Sequence, residues 1–343
     1  MGSTSSAPFR TRRCSRARFR LRLVPVLLIL ALVAAACGGD DDEGAATTTA
    51  GPTSTTDAGP ATLRVAFVPA TTTLPLHVAK QTGIFDRHNL DVTLEQAANI
   101  SDILPTLGRQ FDISLGTATD LIRAGAAGID VVQIAGNTVS TKDNPFVQLI
   151  VPGDSGITDV SQLGGKTVGS PTLSGVIHVG TLWWAKQKGV DPGSIRGVEA
   201  PPPALPDQLK AGRIDAVEAL EPFATSLKRE GFVSLGDPFS PIADPLATNF
   251  WVAQGSWARE QRDVVNRFVQ SLEEARTFIE QKGPEARQIL QQYTGMPAPA
   301  ANSVPLPTYD FNVRARDLDT WVKVLRDVGQ LEGTVDPSKL VLG

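Results

Sequence analysis

Two short tracts concentrate small polar side chains just ahead of helix-like sequence. Thr71, Thr72 and Thr73 follow an apolar run and precede Leu74 to Thr82. Ser170 to Gly175, with Thr172 and Ser174 inside it, precedes a helical stretch through Trp183 and Trp184 to Lys188. Backbone N–H groups at a helix start lack intrahelical partners, so they attract anions and polar groups, and neighbouring hydroxyls extend their reach. The same residues would cap their own helices, and the two roles are compatible. Thr117 and Ala118 follow a further apolar run, Ile113 to Gly116, and Asn137 follows another, Val131 to Ala135. All are expected to face one ligand space, although Asn137 would equally satisfy a local turn.

The charged and aromatic candidates are fewer. Glu218 and Glu221 end the short apolar run from Ile214. Glu221 reads either as a ligand acceptor or as a hinge ion-pair partner. A carboxylate there would disfavour a bare anion and favour a ligand with N–H or O–H donors. Phe223 and Trp251 are candidates to stack on a ring. Trp183 and Trp184 are adjacent, so on a helix at most one of them faces a pocket. His77 and His178 each fall in the first helix of a half, and His77 joins the candidate ligand contacts. With no cysteine or carboxylate cluster beside them, no metal and no cofactor is expected. Gly165-Lys166-Thr167 lacks the first glycine of a phosphate loop, since Val160 occupies that position.

The elements that must position these residues show a doubled grammar. Leu209 to Phe223 (LKAGRIDAVEALEPF) reads as a helix end, a turn at Gly212, a short strand, and a break at Glu221-Pro222. Leu107 to Asp120 (LGRQFDISLGTATD) repeats it, and Phe111-Asp112-Ile113 answers Ile214-Asp215-Ala216. Two such copies predict two α/β lobes, each presenting a strand end to a shared cleft, because ligands collect beyond the carboxyl ends of strands in open sheets. The apolar runs Phe146–Val151 and Phe250–Ala253 are read as the crossings between lobes. The expected division is residues 61–150 with 248–343 as lobe one, and 151–247 as lobe two. A long amphipathic helix is expected from Arg259 to Lys282 and another from about Arg314 to Val328.

The start of the chain reads as an address. Seven arginines lie between Arg10 and Arg22, followed by an apolar stretch from Leu23 of about 14 residues, a signal-peptide core rather than a span. It closes on Val33-Ala34-Ala35-Ala36-Cys37-Gly38, which resembles the lipobox of bacterial lipoproteins, so Cys37 is the expected lipidation site. Ala34 stands where that motif usually has Leu, which leaves a conventional Ala-x-Ala cleavage as the alternative. Residues 1–36 are therefore expected to be a signal peptide and 37–60 a disordered tether, Thr/Ala/Gly/Pro-rich with no apolar period. Without the leader arginines, 25 basic residues face 36 acidic, a net charge of −11 that argues against nucleic acid. The body from Ala61 has no cysteine.

Four stretches in order resemble one family: Leu63 to Phe85, Leu104 to Gly116, Gly156 to Gly169, and Leu209 to Phe223. The body is similar to substrate-binding proteins of ABC importers, of the nitrate/sulfonate/taurine and thiamine-precursor (SsuA/NMT1-like) family. That resemblance implies an α/β, type II periplasmic-binding-protein fold, two lobes closing about two hinge strands. It implies capture of a small polar or anionic nutrient and delivery to a permease with its ATPase, by a monomer held at the outer face of the cell membrane through a lipid anchor. In this family the loops corresponding to Thr71–Thr73 and Ser170–Gly175 line the cleft. The chain is expected not to be an enzyme, because the body has no cysteine, only three histidines and no metal-ligand cluster in its sequence. The alternatives are a pyrimidine-forming or menaquinone-pathway enzyme on the same fold, or a sensory binding protein.

Overall fold

The computed structural model describes residues 59–97 and 103–343. The leader, Cys37 and all but the last two residues of the tether lie outside the described residues. The chain begins with β1 (Ala61–Phe67), α1 (Leu74–Gln81), α2 (Ile84–Arg87) and β2 (Leu90–Gln96). It continues with β3 (Ile113–Thr117), α3 (Ala118–Ala126) and β4 (Val131–Ser140). A second set follows: β5 (Val147–Val151), β6 (Thr167–Ser170), α4 (Val176–Gln187), β7 (Arg196–Glu199), α5 (Leu205–Lys210), β8 (Ala216–Leu220), α6 (Phe223–Arg229) and β9 (Val233–Gly236). The chain then returns as β10 (Leu246–Gln254), α7 (Gly255–Glu260), α8 (Arg262–Gln281), α9 (Gly283–Thr294), α10 (Ala298–Ser303), β11 (Thr308–Tyr309) and α11 (Ala315–Asp327).

The strands form two sheets, ordered β11-β4-β10-β3-β1-β2 and β7-β6-β8-β5-β9. Their plans correspond. In the first, β1 lies parallel between β2 and β3, and β10 joins β3 antiparallel. In the second, β6 lies parallel between β7 and β8, and β5 joins β8 antiparallel. β3 and β8, the strands of the repeated sequence, therefore occupy the same place in each sheet. β4 and most of β10 are buried along their whole length, the pattern of strands covered on both faces.

The crossings differ from the sequence expectation. Phe146–Val151 is essentially β5, wholly within the second sheet, and Phe250–Ala253 is the middle of β10, wholly within the first. Each is the strand by which the chain enters a sheet. The passages between sheets are the segments 141–146 and 237–245, which the apolar pattern could not mark because they are polar and proline-containing. The expected helix from Arg259 to Lys282 is divided at Gln261 into α7 and α8.

One face of the first sheet packs on α1, α2, α8 and α9 through Leu76, Phe85, Trp251, Phe268 and Leu290. The other packs on α3 and α11, and that cluster also takes in Val176 and Val179 of α4, so one apolar core joins elements of both sheets. Burying such side chains contributes about 1.5–3 kcal/mol each before entropy is charged.

Candidate functional site

The two copies of the repeat fix the sheets from which the site hangs. Asp112, ahead of β3, accepts a hydrogen bond from the Arg64 backbone N–H at 2.8 Å, and its own N–H donates to the Arg64 carbonyl at 2.9 Å. Asp215, ahead of β8, does the same with Thr167, at 2.7 and 2.8 Å. In each half a carboxylate thus staples the central parallel strand to its neighbour, at mid-strand in β1 and at the start of β6. Both strands then run to the same edge, and their loops begin there.

At the edge of the first sheet, Thr71–Thr73 form a single tight turn between β1 and α1. The Thr73 hydroxyl turns inward to the carbonyls of Val68 and Ala70, at 3.3 and 3.0 Å. Thr117 caps α3, its oxygen accepting from the Asp120 N–H at 3.3 Å, and Ala118 opens that helix, fully buried. Asn137 and Thr138 lie inside β4, which runs further than the apolar run suggests. The Asn137 amide donates to the Thr72 carbonyl at 3.1 Å, so β4 holds the β1–α1 turn. Asn249 of β10 donates to the Thr138 hydroxyl at 3.2 Å, and its backbone pairs opposite both Thr117 and Thr138. Asn249 was not among the sequence candidates. Its only sign was a polar pair, Thr248-Asn249, at the head of an apolar run.

His77 sits behind this edge. Its ring stacks on Tyr293 at 3.7 Å between centroids and meets Phe67 edge-on at 4.6 Å. Burial pushes its pKa down to about 4, so the imidazole is neutral. Its Nε2 is buried with no hydrogen-bond partner.

At the edge of the second sheet, Ser170 ends β6 and donates to the Thr172 carbonyl at 3.1 Å. Gly175 precedes α4 without a side-chain cap. Glu218 does not reach the edge: it points under α4, where its carboxylate lies 2.9 Å from Nδ1 of His178, with the glutamate fully buried. Burial alone would lower the His178 pKa, but the charge and hydrogen bond of Glu218 outweigh it and raise the pKa. Gly197 lies beside that ring, where a Cβ would come 2.5 Å from Leu173 Cδ2 and 3.1 Å from His178 Nε2. Forty residues separate His178 from Glu218 with no local pattern to connect them, so the pair was not legible. Glu221 accepts from the Thr225 N–H at 3.2 Å and so serves the first turn of α6. Phe223, half-buried, opens that helix. Trp251 is a correction: it is fully buried in the first core, edge-on to Phe268 at 5.5 Å, and no ligand could stack on it.

Local hydrogen bonds account for the hydroxyls of Thr73, Thr117 and Ser170: Thr117 caps α3, and the other two donate to nearby carbonyls. Among the described residues, the hydroxyls of Thr71, Thr72, Thr172 and Ser174 have no hydrogen-bond partner, two in each half. The halves meet at Ser174 and along α4. Arg123 of α3 donates to the Ser174 carbonyl and, at 2.6 Å, to Gln330. Trp183 of α4 donates to Asp327 of α11 at 3.0 Å. Among the described residues, no group of three or more His, Cys, Asp or Glu side chains is arranged to hold a metal ion.

Comparison with known proteins fits this architecture. The alkanesulfonate-binding protein SsuA from Xanthomonas axonopodis pv. citri, solved bound to MOPS, superposes with a TM-score of 0.70 at 18% identity, covering 83% of this chain and 99% of that one. The periplasmic nitrate-binding protein NrtA from Synechocystis PCC 6803 superposes with a TM-score of 0.67 at 14% identity, covering 81% and 84%. At such identities the likeness shows the fold, that of the periplasmic binding proteins. Two curated relatives are named 4-amino-5-hydroxymethyl-2-methylpyrimidine phosphate synthase. The one from Candida albicans is 26% identical over 221 residues, 60% of this chain and 63% of that protein. The one from Schizosaccharomyces pombe is 23% identical over 215 residues, 59% and 60%. The chain therefore aligns with less than two thirds of the length of either. Their names overturn the expectation that the chain is not an enzyme, since relatives by sequence are enzymes. The family model described as NMT1/THI5 like matches residues 70–286, more than half of the sequence, and the chain belongs to that family.

Proposed function

We propose that the chain captures a small polar molecule between the Thr71–Thr73 turn and the Ser170–Gly175 loop, and hands it to an ABC importer permease. The observation that carries this reading is the pair of unpartnered hydroxyls on each side, at equivalent strand ends of two sheets built to one plan. Closure brings such groups onto a ligand together, so affinity depends on contacts made only in the closed state. In the same reading the leader directs export, cleavage leaves Cys37 first, and lipidation there tethers the body outside the membrane. An alkyl-labelled, Cys37→Ala-sensitive band in the membrane fraction would support the anchor, and a soluble unlabelled chain would contradict it.

The ligand test is thermal. The purified chain melts higher in the presence of one of a panel of sulfonates, nitrate and pyrimidines, because a ligand that binds only the folded state stabilises it by mass action. Thr72→Ala or Ser174→Ala reduces that rise while leaving the unliganded melt cooperative. A panel that moves nothing removes the binding reading.

The names of the curated relatives favour a second reading, a pyrimidine-forming enzyme on this fold. Mass spectrometry of the purified chain and its reaction mixtures for 4-amino-5-hydroxymethyl-2-methylpyrimidine phosphate separates the two.

A further inference from the structure

Three consecutive carbonyls of the first loop are each taken by a side chain from a distant element. The Tyr293 hydroxyl of α9 donates to Ala70 O at 2.6 Å, and the Tyr309 hydroxyl of β11 donates to Thr71 O at 2.7 Å. The Asn137 amide of β4 donates to Thr72 O at 3.1 Å. Within the turn, Ala70 O accepts from the Thr73 N–H and hydroxyl and Thr71 O from the Leu74 N–H; a turn held by such local bonds alone is free to swing as a unit. Here all three point into the protein, so the turn has one orientation, with the Thr71 and Thr72 hydroxyls left unpartnered.

The surroundings are arranged to keep these donors in place. Burial raises the pKa of both phenols, so both remain protonated and donate across the working pH range. Tyr293 is held by its stack on His77 at 3.7 Å, the planes 3° apart. Tyr309 is held by pairing with Thr138, and the Asp310 N–H donates to the Asn137 carbonyl at 3.0 Å. That close approach requires a glycine at 136, where a Cβ would sit 2.2 Å from the Asp310 carbonyl oxygen.

We propose that Tyr293 and Tyr309 are positioning residues for ligand binding, acting through the carbonyls of Ala70 and Thr71 to preset the hydroxyl-bearing turn. This rests on the binding function proposed above. Neither tyrosine needs to touch the ligand. They lower the ordering cost that binding would otherwise carry, which is how preorganisation raises affinity.

The test uses the full chain with Tyr293→Phe, Tyr309→Phe and the double variant, which keep the rings and remove only the hydroxyls. Ser271→Ala serves as control, because it removes a buried hydroxyl that donates to the Arg267 carbonyl within α8. Hydrogen exchange of the unliganded chain reports the turn directly. Exchange of amides 71–74 is expected to quicken about tenfold in each Phe variant, the equivalent of one net hydrogen bond, with the control unchanged. Calorimetric titration with 4-amino-5-hydroxymethyl-2-methylpyrimidine, ethanesulfonate and nitrate is then expected to show one probe bound, about 5- to 10-fold more weakly by each Phe variant and normally by the control. Unchanged exchange in both single variants overturns the proposal, as does faster exchange with unaltered affinity. Failure of all three probes to bind the wild-type chain overturns the binding function and with it this role, whatever the exchange shows.

Discussion

The two halves share a sheet plan and a strand staple, yet each places a histidine in a different electrostatic setting. His77 of α1 and His178 of α4 both follow the hydroxyl loop of their half by one turn of helix. His77 is packed between Phe67 and Tyr293 and is neutral, its pKa lowered by burial to about 4. His178 is as deeply buried but faces Glu218 at 2.9 Å, and its pKa is raised. The difference shows that the duplicated frame sets where a side chain stands, whereas its neighbours across the packing set its charge. The first half uses its histidine as a flat apolar support behind the turn. The second uses it to neutralise a carboxylate that would otherwise be buried alone.

The largest expected effect breaks the second half's pair. His178→Ala leaves Glu218 fully buried without a partner, and removing one member of a buried pair costs about 3–5 kcal/mol. Glu218→Gln lets His178 fall back to its neutral form and costs about 1–3 kcal/mol, the price of one hydrogen bond to a charged group. Urea denaturation of the two variants measures the asymmetry, and equal losses would contradict it.

Next comes the pH dependence, where the histidines act with opposite sign. The folded pKa of His77 lies below its unfolded value of 6.5, so its contribution is present above pH 6.5 and is lost as pH falls toward about 4. The loss amounts to about 3 kcal/mol across that window. The folded pKa of His178 lies above 6.5, so its contribution is full below that pH and declines as pH rises through the folded value. His77→Phe, which keeps a ring against Tyr293, should flatten the acid limb of a stability-against-pH curve, and His178→Ala should flatten the limb above pH 6.5. An acid limb unaltered in His77→Phe would show that burial does not hold His77 neutral.

The smallest effect tests what the halves have in common. Asp112→Ala and Asp215→Ala each remove a carboxylate that accepts a backbone N–H of the neighbouring parallel strand, at about 1–2 kcal/mol apiece. Asp112 also pairs with the Arg64 side chain at 2.8 Å, but that guanidinium is 42% exposed, so the pair adds only a few tenths. Near-equal shifts in the denaturation midpoints would show one staple used twice. A large inequality would show that the second copy has taken on another role.

The repeat was legible because it is local: an aspartate preceding a short apolar run, seen twice; the strand that each aspartate holds, 48 residues away, was not. That there are two units of similar build, with hydroxyl-bearing loops after their strands, followed from that repeat and from apolar periodicity; the strand order within each sheet did not. What could not be read came from packing between distant elements. Trp251 looked available because it lies on a strand near a presumed crossing, but β10 turns it into the core beside Phe268. Glu218 looked like a strand-end acceptor because pattern gives a strand's position and not what lies over it. Tyr293 and Tyr309, from α9 and β11, reach the first loop across more than two hundred residues of sequence, and nothing near either one marks it. Asn249 was hidden in the apolar character of its own strand.

The most direct measurement is a crystal structure of the chain with the small molecule that co-purifies with it or moves its melt. The account predicts one molecule between the halves, within hydrogen-bond distance of Thr71 or Thr72 on one side and Thr172 or Ser174 on the other. A molecule that touches only one of the two loops, or one bound elsewhere while these four hydroxyls stay solvated, would contradict it.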